Sequence, residues 1–251
     1  MRRVILCWMI SGLLILPFLT EALYAGEIKI AVASNFTNVI RDISRKFENQ
    51  TGHKVILIFG STGKHYAQIV NGAPFDIFFA ADVQRPKLLE EQGFALKGSR
   101  FTYAIGKLAL WSPQDNYVDK SGEILRHGDF RHLAIANPKL APYGEAARAV
   151  LQSLDLWDSL HKKLVRGENI SQAFQLIKSG NAELGLVALS QVIQAGYYQT
   201  DTFWVVPEEL YPPIEQQVVL LKDNPIARAY LKFIQTDEIK EMICSFGYST
   251  K

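Results

Sequence analysis

A short glycine-rich loop carries groups that can hold an anion. Residues 60–65 read GSTGKH, so two hydroxyl side chains stand between two glycines, and a lysine follows. Glycines allow backbone N–H groups to come close to a ligand, and hydroxyl groups can donate hydrogen bonds to it. A nucleotide-binding P-loop requires G-x-x-x-x-G-K followed by Ser or Thr. Here Ile58 replaces the first glycine and His65 follows the Gly-Lys pair, so the loop is an anion cradle of a simpler kind.

Three further junctions between a predicted strand and a predicted helix offer similar donors. They lie at residues 34–35, 141–144 and 168–171. Read singly, a serine or asparagine at such a junction would only cap its helix. Together, the four junctions present unpaired N–H groups at the positive ends of helix dipoles. The predicted anion-binding residues are Ser34, Asn35, Ser61, Thr62, Tyr143 and Ile170.

This predicted donor set is uncharged. It contains no arginine, lysine or carboxylate, although Glu168 lies close to Ile170 along the chain. A dianion surrounded by neutral donors is stable in a dry site when every oxygen is hydrogen-bonded. Because such a shell offers no acceptor for a proton, it favours a fully deprotonated tetrahedral oxyanion over hydrogen phosphate. Sulfate, molybdate and tungstate all meet this requirement, and the residues alone do not choose among them.

Alternating strands and helices must position these junctions. The alternation predicts an α/β fold with parallel sheets covered by helices on both faces. Ligands of such sheets bind at the carboxyl ends of the strands, where helices begin. The predicted strands are 27–34, 54–60, 75–81, 101–111, 133–136, 163–166, 184–188, 202–206 and 215–221. The predicted helices are 35–50, 63–71, 85–92, 143–154, 170–179, 189–195, 225–235 and 236–246.

Two clusters of these elements predict two α/β lobes with a ligand cleft between them. Extended segments at 101–111 and 202–221 are expected to cross between the lobes, and the last two helices to return to the first lobe. The predicted division is a signal peptide at 1–25, lobe I at 26–105 and 213–251, and lobe II at 106–212.

The first 25 residues have the pattern of a secretory signal. Arg2 and Arg3 precede an apolar run at 4–19, and Ala25 offers a small residue for cleavage. A retained membrane anchor is the alternative, although the run is short and interrupted for a spanning helix. The pattern therefore predicts export to the periplasm.

The composition argues against several other classes of protein. A net charge of +2 over 251 residues is too small for general electrostatic binding to nucleic acid or anionic lipid. Cleavage after residue 25 would leave one cysteine, Cys244, and hence no internal disulfide. The five histidines have no metal-ligand spacing, and no nucleophile–base set can be assembled. We expect no enzymatic activity, no cofactor and no metal bound directly by side chains.

Five segments cover nearly the whole exported chain and carry a family resemblance. They are AVASNFTNVIRDISRKFENQTGHKV, GSTGKHYAQIVNGAPFDIFFAADVQRPKLLEEQGFA, GSRFTYAIGKLALWSP, IANPKLAPYGEAARAVL and ELGLVALSQVIQAG. These segments resemble the periplasmic molybdate-binding proteins of ABC transporters. The resemblance implies the type II periplasmic-binding-protein fold and binding of molybdate or tungstate. It also implies delivery of the oxyanion to a membrane permease, and we expect a monomer.

The resemblance also implies which residues contact the ligand. In the family, a hydroxyl residue after the first strand, another in the second loop and two helix starts of the second lobe hold it. These positions match Ser34, Thr62 with Ser61 beside it, Tyr143 and Ile170. Many members also donate a phenol from a tyrosine where this chain has Ala188. The resemblance therefore implies a variant in which Asn35 and Tyr143 complete the shell.

Three alternatives remain open at this point. The same two-lobed clamp could serve sulfate or another small oxyanion. A secreted α/β hydrolase could use Ser34 or Ser61, although the sequence offers no evident base for either serine. An exported regulator without a small ligand is the third.

Overall fold

The structure is a computed structural model that describes residues 25–194, 196 and 203–250. The predicted signal peptide, apart from Ala25, lies outside the described residues. Among the residues that are described, no helix has the length and apolar character needed to cross a bilayer.

Strands and helices alternate along the described chain, and most of their ends lie within one or two residues of the predicted ones. The strands are β1 (Glu27–Ala33), β2 (Lys54–Gly60), β3 (Ile77–Phe79), β4 (Phe101–Gly106), β5 (Leu108–Trp111), β6 (Leu133–Ala136), β7 (Leu164–Gly167), β8 (Leu184–Ala188), β9 (Phe203–Val205) and β10 (Ile214–Leu220). The helices are α1 (Thr37–Thr51), α2 (Thr62–Val70), α3 (Gln84–Glu91), α4 (Ile124–His127), α5 (Pro142–Ser153), α6 (Trp157–Leu160), α7 (Ile170–Lys178), α8 (Leu189–Gln194), α9 (Pro225–Ile234) and α10 (Asp237–Ser245). Short 3-10 turns occupy Ser34–Phe36, His161–Lys163 and Glu208–Leu210.

Two of these helices are absent from the sequence prediction. α4 and α6 are single turns, which carry too little apolar periodicity to be recognised in a sequence. Residues 195 and 202, which end a predicted helix and begin a predicted strand, lie outside the described residues.

The strands form two five-stranded sheets. The first has the order β2-β1-β3-β10-β4 and the second β7-β6-β8-β5-β9. In each sheet three neighbouring strands pair in parallel, and the other two pairings are antiparallel. The predicted α/β architecture is confirmed, but the sheets are mixed rather than parallel. The antiparallel pairings involve the strands that lead from one sheet to the other. β4 runs directly into β5, and β9 leads into β10, without the helical crossover that strands paired in parallel need.

The chain passes between the two sheets at two places. β4 in the first sheet ends at Gly106 and β5 in the second begins at Leu108, so Lys107 alone links them. The extended segment predicted at 101–111 is therefore two strands of different sheets. The return runs from β9 to β10 through residues 206–213. Both connections lie close to the predicted lobe boundaries.

The C-terminal helices pack against the first sheet. Ala227 and Tyr230 of α9 and Ile239 and Ile243 of α10 are buried in the same apolar cluster as α1 and the central strands. Phe36, just before α1, lies in that cluster too, and its ring makes a stacked, a tilted and an edge-on contact with neighbouring aromatic rings. This packing fixes the turn at the end of β1, where the first candidate residues stand.

A buried hydrogen bond between α1 and α9 gives a test of this packing. The hydroxyl oxygens of Ser44 and Tyr230 lie 2.7 Å apart, and both residues are buried. We expect Tyr230→Phe to lower the free energy of unfolding by about 1–2 kcal/mol, because it removes this bond. In a Ser44→Ala background the same substitution should cost much less, since the partner is already gone. Denaturant unfolding of the four proteins measures the difference, and equal costs in both backgrounds would contradict the bond.

Candidate functional site

Four helix starts meet between the two sheets and enclose one small cavity. Its volume is about 10 Å³, far below the several hundred Å³ that organic ligands occupy. All six predicted anion-binding residues line it, and no charged residue does. The lining residues are Ala33, Ser34, Asn35, Gly60, Ser61, Thr62, Ala81, Ala141, Pro142, Tyr143, Asn169 and Ile170.

The loop that opens α2 is organised by its two hydroxyl residues. Ser61 caps the helix, and its Oγ accepts a hydrogen bond from the backbone N–H of Lys64 at 3.4 Å. Thr62 Oγ1 accepts from the backbone N–H of Ala81 at 3.1 Å. Each side-chain oxygen is thus used as an acceptor, so the hydroxyl hydrogen remains to donate to a ligand. Both side chains are almost completely buried, which fixes these directions.

Ser34 and Asn35 begin the 3-10 turn after β1, and they differ in what they offer. Ser34 Oγ accepts from the backbone N–H of Ser171 at 3.4 Å, so its hydroxyl hydrogen is also free to donate. The Asn35 side-chain amide donates to Gln216 Oε1 at 2.8 Å and to the Tyr248 hydroxyl at 3.2 Å. Both of its hydrogens are used in these bonds. What Asn35 can present to the cavity is therefore its backbone N–H.

Two helix starts of the second half supply the opposite wall. Pro142 is the first residue of α5, which suits a position where no N–H is needed. Tyr143 follows and is buried, and its hydroxyl accepts from Gln216 Nε2 at 3.3 Å. Burial, together with neighbouring phenols, raises the pKa of Tyr143 well above its usual range, so the phenol stays a donor. At α7, Asn169 caps the helix and leaves Ile170, an apolar residue, to offer its backbone N–H.

The two halves touch each other around the cavity. The backbone N–H of Gly63 donates to Leu140 O at 2.9 Å, and Ser171 Oγ donates to Ser34 O at 3.0 Å. At the rim, Lys64 Nζ lies 3.1 Å from a carboxylate oxygen of Glu168. This pair is half exposed, and it compensates the negative charge of Glu168, which directly precedes the lining residue Asn169. These contacts hold the two lobes against each other in a closed arrangement.

His65 supports the glycine-rich loop from behind and carries no positive charge into it. Its ring nitrogens lie 3.2 Å from Val32 O and 3.0 Å from Gln68 Oε1. Burial lowers the pKa of His65 below its ordinary value, so the ring is neutral at physiological pH. The positive potential in the cavity therefore comes from oriented dipoles.

Sequence reasoning missed four residues that surround the candidate donors. Gln216, Tyr103 and Tyr248 are buried and hydrogen-bonded to each other or to Asn35, and Gly106 lies against the Tyr143 hydroxyl. One signal was available: the strand EQQVVLL places two adjacent glutamines in an apolar run, so one of them has to face the core. By contrast Ala188, at the position where the resemblance implies a tyrosine in many members, is buried at the end of β8 and does not line the cavity.

The arrangement suits binding rather than catalysis. Ser34 Oγ and Ser61 Oγ each accept from a backbone N–H, and neither bond supplies a base. Within the described ranges, no group of three or more His, Cys, Asp or Glu side chains could hold a metal ion. Two α/β lobes that meet over a small cavity of neutral donors define the class of two-lobed solute-binding proteins.

Comparison with known proteins identifies the family. Residues 28–249 match the model of the family described as bacterial extracellular solute-binding protein. The molybdate-binding protein ModA of Azotobacter vinelandii is 50% identical over 230 residues, which cover 90% of this chain and 91% of that one. ModA of Rhodobacter capsulatus is 47% identical over 90% of each chain. The chain therefore belongs to the bacterial extracellular solute-binding proteins, within the family of the ModA molybdate-binding proteins.

Solved structures agree on the fold. The periplasmic molybdate-binding protein of Azotobacter vinelandii superposes with a TM-score of 0.86 at 42% identity, over 89% of this chain and 99% of that one. The type II periplasmic-binding-protein fold is thus confirmed. The sulfate-binding protein SubI of Mycobacterium tuberculosis shares the fold alone, with a TM-score of 0.70 and 13% identity over 89% of this chain and 86% of that one. These relatives are named as binding proteins for different anions, so the fold by itself does not specify the anion.

Gly106 gives a test of the closed arrangement. A Cβ there would overlap the Tyr143 hydroxyl and approach Gln216 Nε2 to 2.6 Å. We expect Gly106→Ala to weaken oxyanion binding at least tenfold, because Tyr143 cannot reach its place in the cavity. Lys87→Ala is the control: it removes only an exposed ion pair with Glu91 on α3, 3.7 Å away, and should leave the affinity unchanged. Titration calorimetry measures both, and normal affinity of the Gly106 variant would contradict this role.

Proposed function

We propose that the protein is a periplasmic receptor for molybdate and tungstate that closes on one oxyanion and delivers it to an ABC transporter permease. The observation that carries this proposal is the cavity of neutral donors, contributed by both lobes and free of charged residues. The choice of anion is supported by the two ModA relatives, both named as molybdate-binding.

The proposed ligand shell combines hydroxyl groups and backbone amides. The hydroxyls of Ser34, Ser61 and Thr62 each have the oxygen occupied as an acceptor, and so have a hydrogen to donate. Tyr143 contributes its backbone N–H from the first turn of α5, since its hydroxyl is hydrogen-bonded to Gln216 and Tyr248. Asn35 and Ile170 contribute backbone N–H groups from first turns of helices. These six residues are the proposed contacts of the oxyanion.

Such a shell selects by protonation state. Fixed dipoles in a site without water stabilise a dianion without any counter-charge, because they need no reorganisation when the ion enters. Hydrogen phosphate carries a proton that would face a donor and lose a hydrogen bond, at a cost of about 1–3 kcal/mol. Molybdate, tungstate and sulfate carry no such proton at neutral pH.

Closure follows from the two connections between the sheets. A rotation about Lys107 and the segment 206–213 would separate the walls of the cavity and admit the ion. The bound ion would hold the lobes together, since donors from both sides share it. The permease would then recognise the closed form, in which surfaces of both lobes have a fixed relation.

The cellular location and the oligomeric state are also part of the proposal. Periplasmic relatives support a periplasmic location for this chain, and the segment 1–25 is the proposed signal peptide that takes it there. We propose a monomer, because one chain supplies all donors of the site.

Sulfate remains the second candidate ligand, since it has the same charge and shape as molybdate, and the shared fold of a sulfate-binding protein permits it.

A ligand panel tests the proposal. Molybdate and tungstate, at about a hundred times their dissociation constant, should add roughly 2.7 kcal/mol to the stability of the exported chain. For a protein of this size, that shifts the melting temperature by roughly 5–10 °C. Phosphate at pH 7 should give no shift. Stabilisation by sulfate but not by molybdate would replace the proposed ligand, and a panel without any effect would reject an oxyanion receptor.

Thr62 allows one proposed donor to be tested with a matched pair. Thr62→Val removes the hydroxyl at nearly constant volume and should weaken molybdate binding by about 10- to 100-fold, the worth of one hydrogen bond to a charged group. Thr62→Ser keeps the hydroxyl and should bind within a few-fold of the unmodified protein. Calorimetry gives both affinities, and equal behaviour of the two variants would exclude the hydroxyl as a ligand.

A further inference from the structure

The segment that follows α10 touches both lobes. Ser249 forms an antiparallel bridge with Ile105 of β4 in the first sheet, and the two N–O distances are 2.7 and 3.0 Å. Gly247, which has a φ of 84°, lies against α8 of the second lobe, where a Cβ would come within 2.3 Å of Ile193 Cδ1. Residues 247–249 are therefore a third place at which the chain connects the lobes.

Tyr248, in the middle of this segment, is buried and binds Asn35 twice. The Tyr248 hydroxyl donates its hydrogen to Asn35 O at 2.8 Å, because a carbonyl oxygen can only accept. Asn35 Nδ2 in turn donates to the Tyr248 oxygen at 3.2 Å, and to Gln216 Oε1 at 2.8 Å. Burial raises the pKa of Tyr248 to about 12, so the phenol keeps its hydrogen at physiological pH. One phenol thus holds both the backbone and the side chain of Asn35.

The same phenol is bonded to two residues of the second lobe. Ser190 Oγ lies 2.9 Å from the Tyr248 oxygen, and it is the donor, since the only hydrogen of the phenol goes to Asn35. The Tyr143 hydroxyl is hydrogen-bonded to Tyr248 as well. Ser190 belongs to α8 and Tyr143 to α5, and both residues are buried. A single oxygen atom therefore joins the turn after β1 to two helices of the second lobe.

These bonds fix the direction of a backbone donor at the cavity. Asn35 lines the cavity, and its N–H belongs to the peptide group that it shares with Ser34. The oxygen of this peptide group accepts from Thr37 Oγ1 at 2.8 Å and from Ser171 Oγ at 3.0 Å. Tyr248 holds the next peptide group, through Asn35 O. The backbone of Asn35 is therefore held on both sides of its Cα.

We propose that Tyr248 is a positioning residue of the oxyanion site, which fixes the turn that carries Asn35 and ties it to the second lobe. The inference rests on the proposed function, because Asn35 is a contact only if the cavity binds an oxyanion. Tyr248 itself does not line the cavity. It acts through Asn35 on one side and through Ser190 and Tyr143 on the other, so it links the direction of a donor to the closed arrangement of the lobes.

Tyr248→Phe tests this role, because it removes the hydroxyl and keeps the ring, which packs edge-on against Phe36 at a centroid distance of 5.4 Å. We expect molybdate to bind about tenfold more weakly, the worth of one hydrogen bond. The matched control is Tyr230→Phe, which removes another buried phenol of the first lobe, bonded to Ser44 instead of a lining residue. The control should lower the free energy of unfolding and leave the affinity for molybdate within twofold. A merely structural role of Tyr248 would make the two variants alike.

Ser190→Ala tests whether the second lobe acts through Tyr248. Alone, this substitution removes the donor on α8 and should weaken molybdate binding by about three- to tenfold. In a Tyr248→Phe background it should change the affinity less than twofold, because the hydroxyl that Ser190 contacts is already absent. Titration calorimetry of the four proteins with molybdate measures these affinities.

The release of the ion gives a second readout. We expect the lost affinity of Tyr248→Phe to come from faster release, because the phenol joins the lobes that close over the ion. A chase of radioactive molybdate with unlabelled molybdate measures the release rate, which should rise by about the same factor as the dissociation constant. An unchanged release rate would contradict the link to closure.

Three results would each overturn the inference: normal affinity of Tyr248→Phe, an equal loss of affinity in Tyr230→Phe, or equal effects of Ser190→Ala in both backgrounds. If Tyr248→Phe does not fold, Ser190→Ala decides, since normal affinity of that variant would exclude the link to the second lobe. Failure of the unmodified protein to bind any oxyanion would instead reject the proposed function itself.

Discussion

The whole arrangement depends on keeping uncharged hydrogen-bond donors in fixed directions around one small space. A dipole stabilises an anion only if its positive end faces the ion, and in water such groups would turn freely. Here the donors are backbone amides at helix starts, which cannot turn, and hydroxyls whose oxygens are already engaged. Thr62, held by the backbone of Ala81, and Ser61, held by that of Lys64, are examples. The fold therefore supplies donors with fixed directions rather than charged groups.

This constraint explains features that would otherwise look unrelated. The buried histidine behind the glycine-rich loop is kept neutral, and the carboxylate of Glu168 is paired with Lys64. The aromatic packing around Phe36 fixes the turn that carries Ser34 and Asn35. The chain crosses between the sheets directly at Lys107, with Gly106 leaving room for the Tyr143 hydroxyl. Each feature either removes a competing charge or prevents a donor from moving.

The fold does not determine which anion binds, so the residues that line the cavity must do so. A sulfate-binding protein with 13% identity has the same two-lobed architecture, and the ModA relatives at 50% and 47% identity are named for another oxyanion. What can differ between such proteins is the size of the cavity, the number of donors and the order of the bonds behind them. In this chain Ala188 does not line the cavity, whereas Tyr143, at the start of α5, does.

The sequence by itself determined the α/β class, nearly all the strands and long helices, and the six residues that line the cavity. These could be predicted because apolar periodicity, helix caps and strand-to-helix junctions are local patterns, legible within a few residues. Tertiary structure decided the mixed order of the sheets, the break at Lys107 and the network around Gln216. It also decided that Asn35 uses its side chain within the network and offers only its backbone to the cavity. Asn35 and Gln216 are 181 residues apart in the chain, and their hydrogen bond exists only once the strands have assembled, so no local pattern could indicate it.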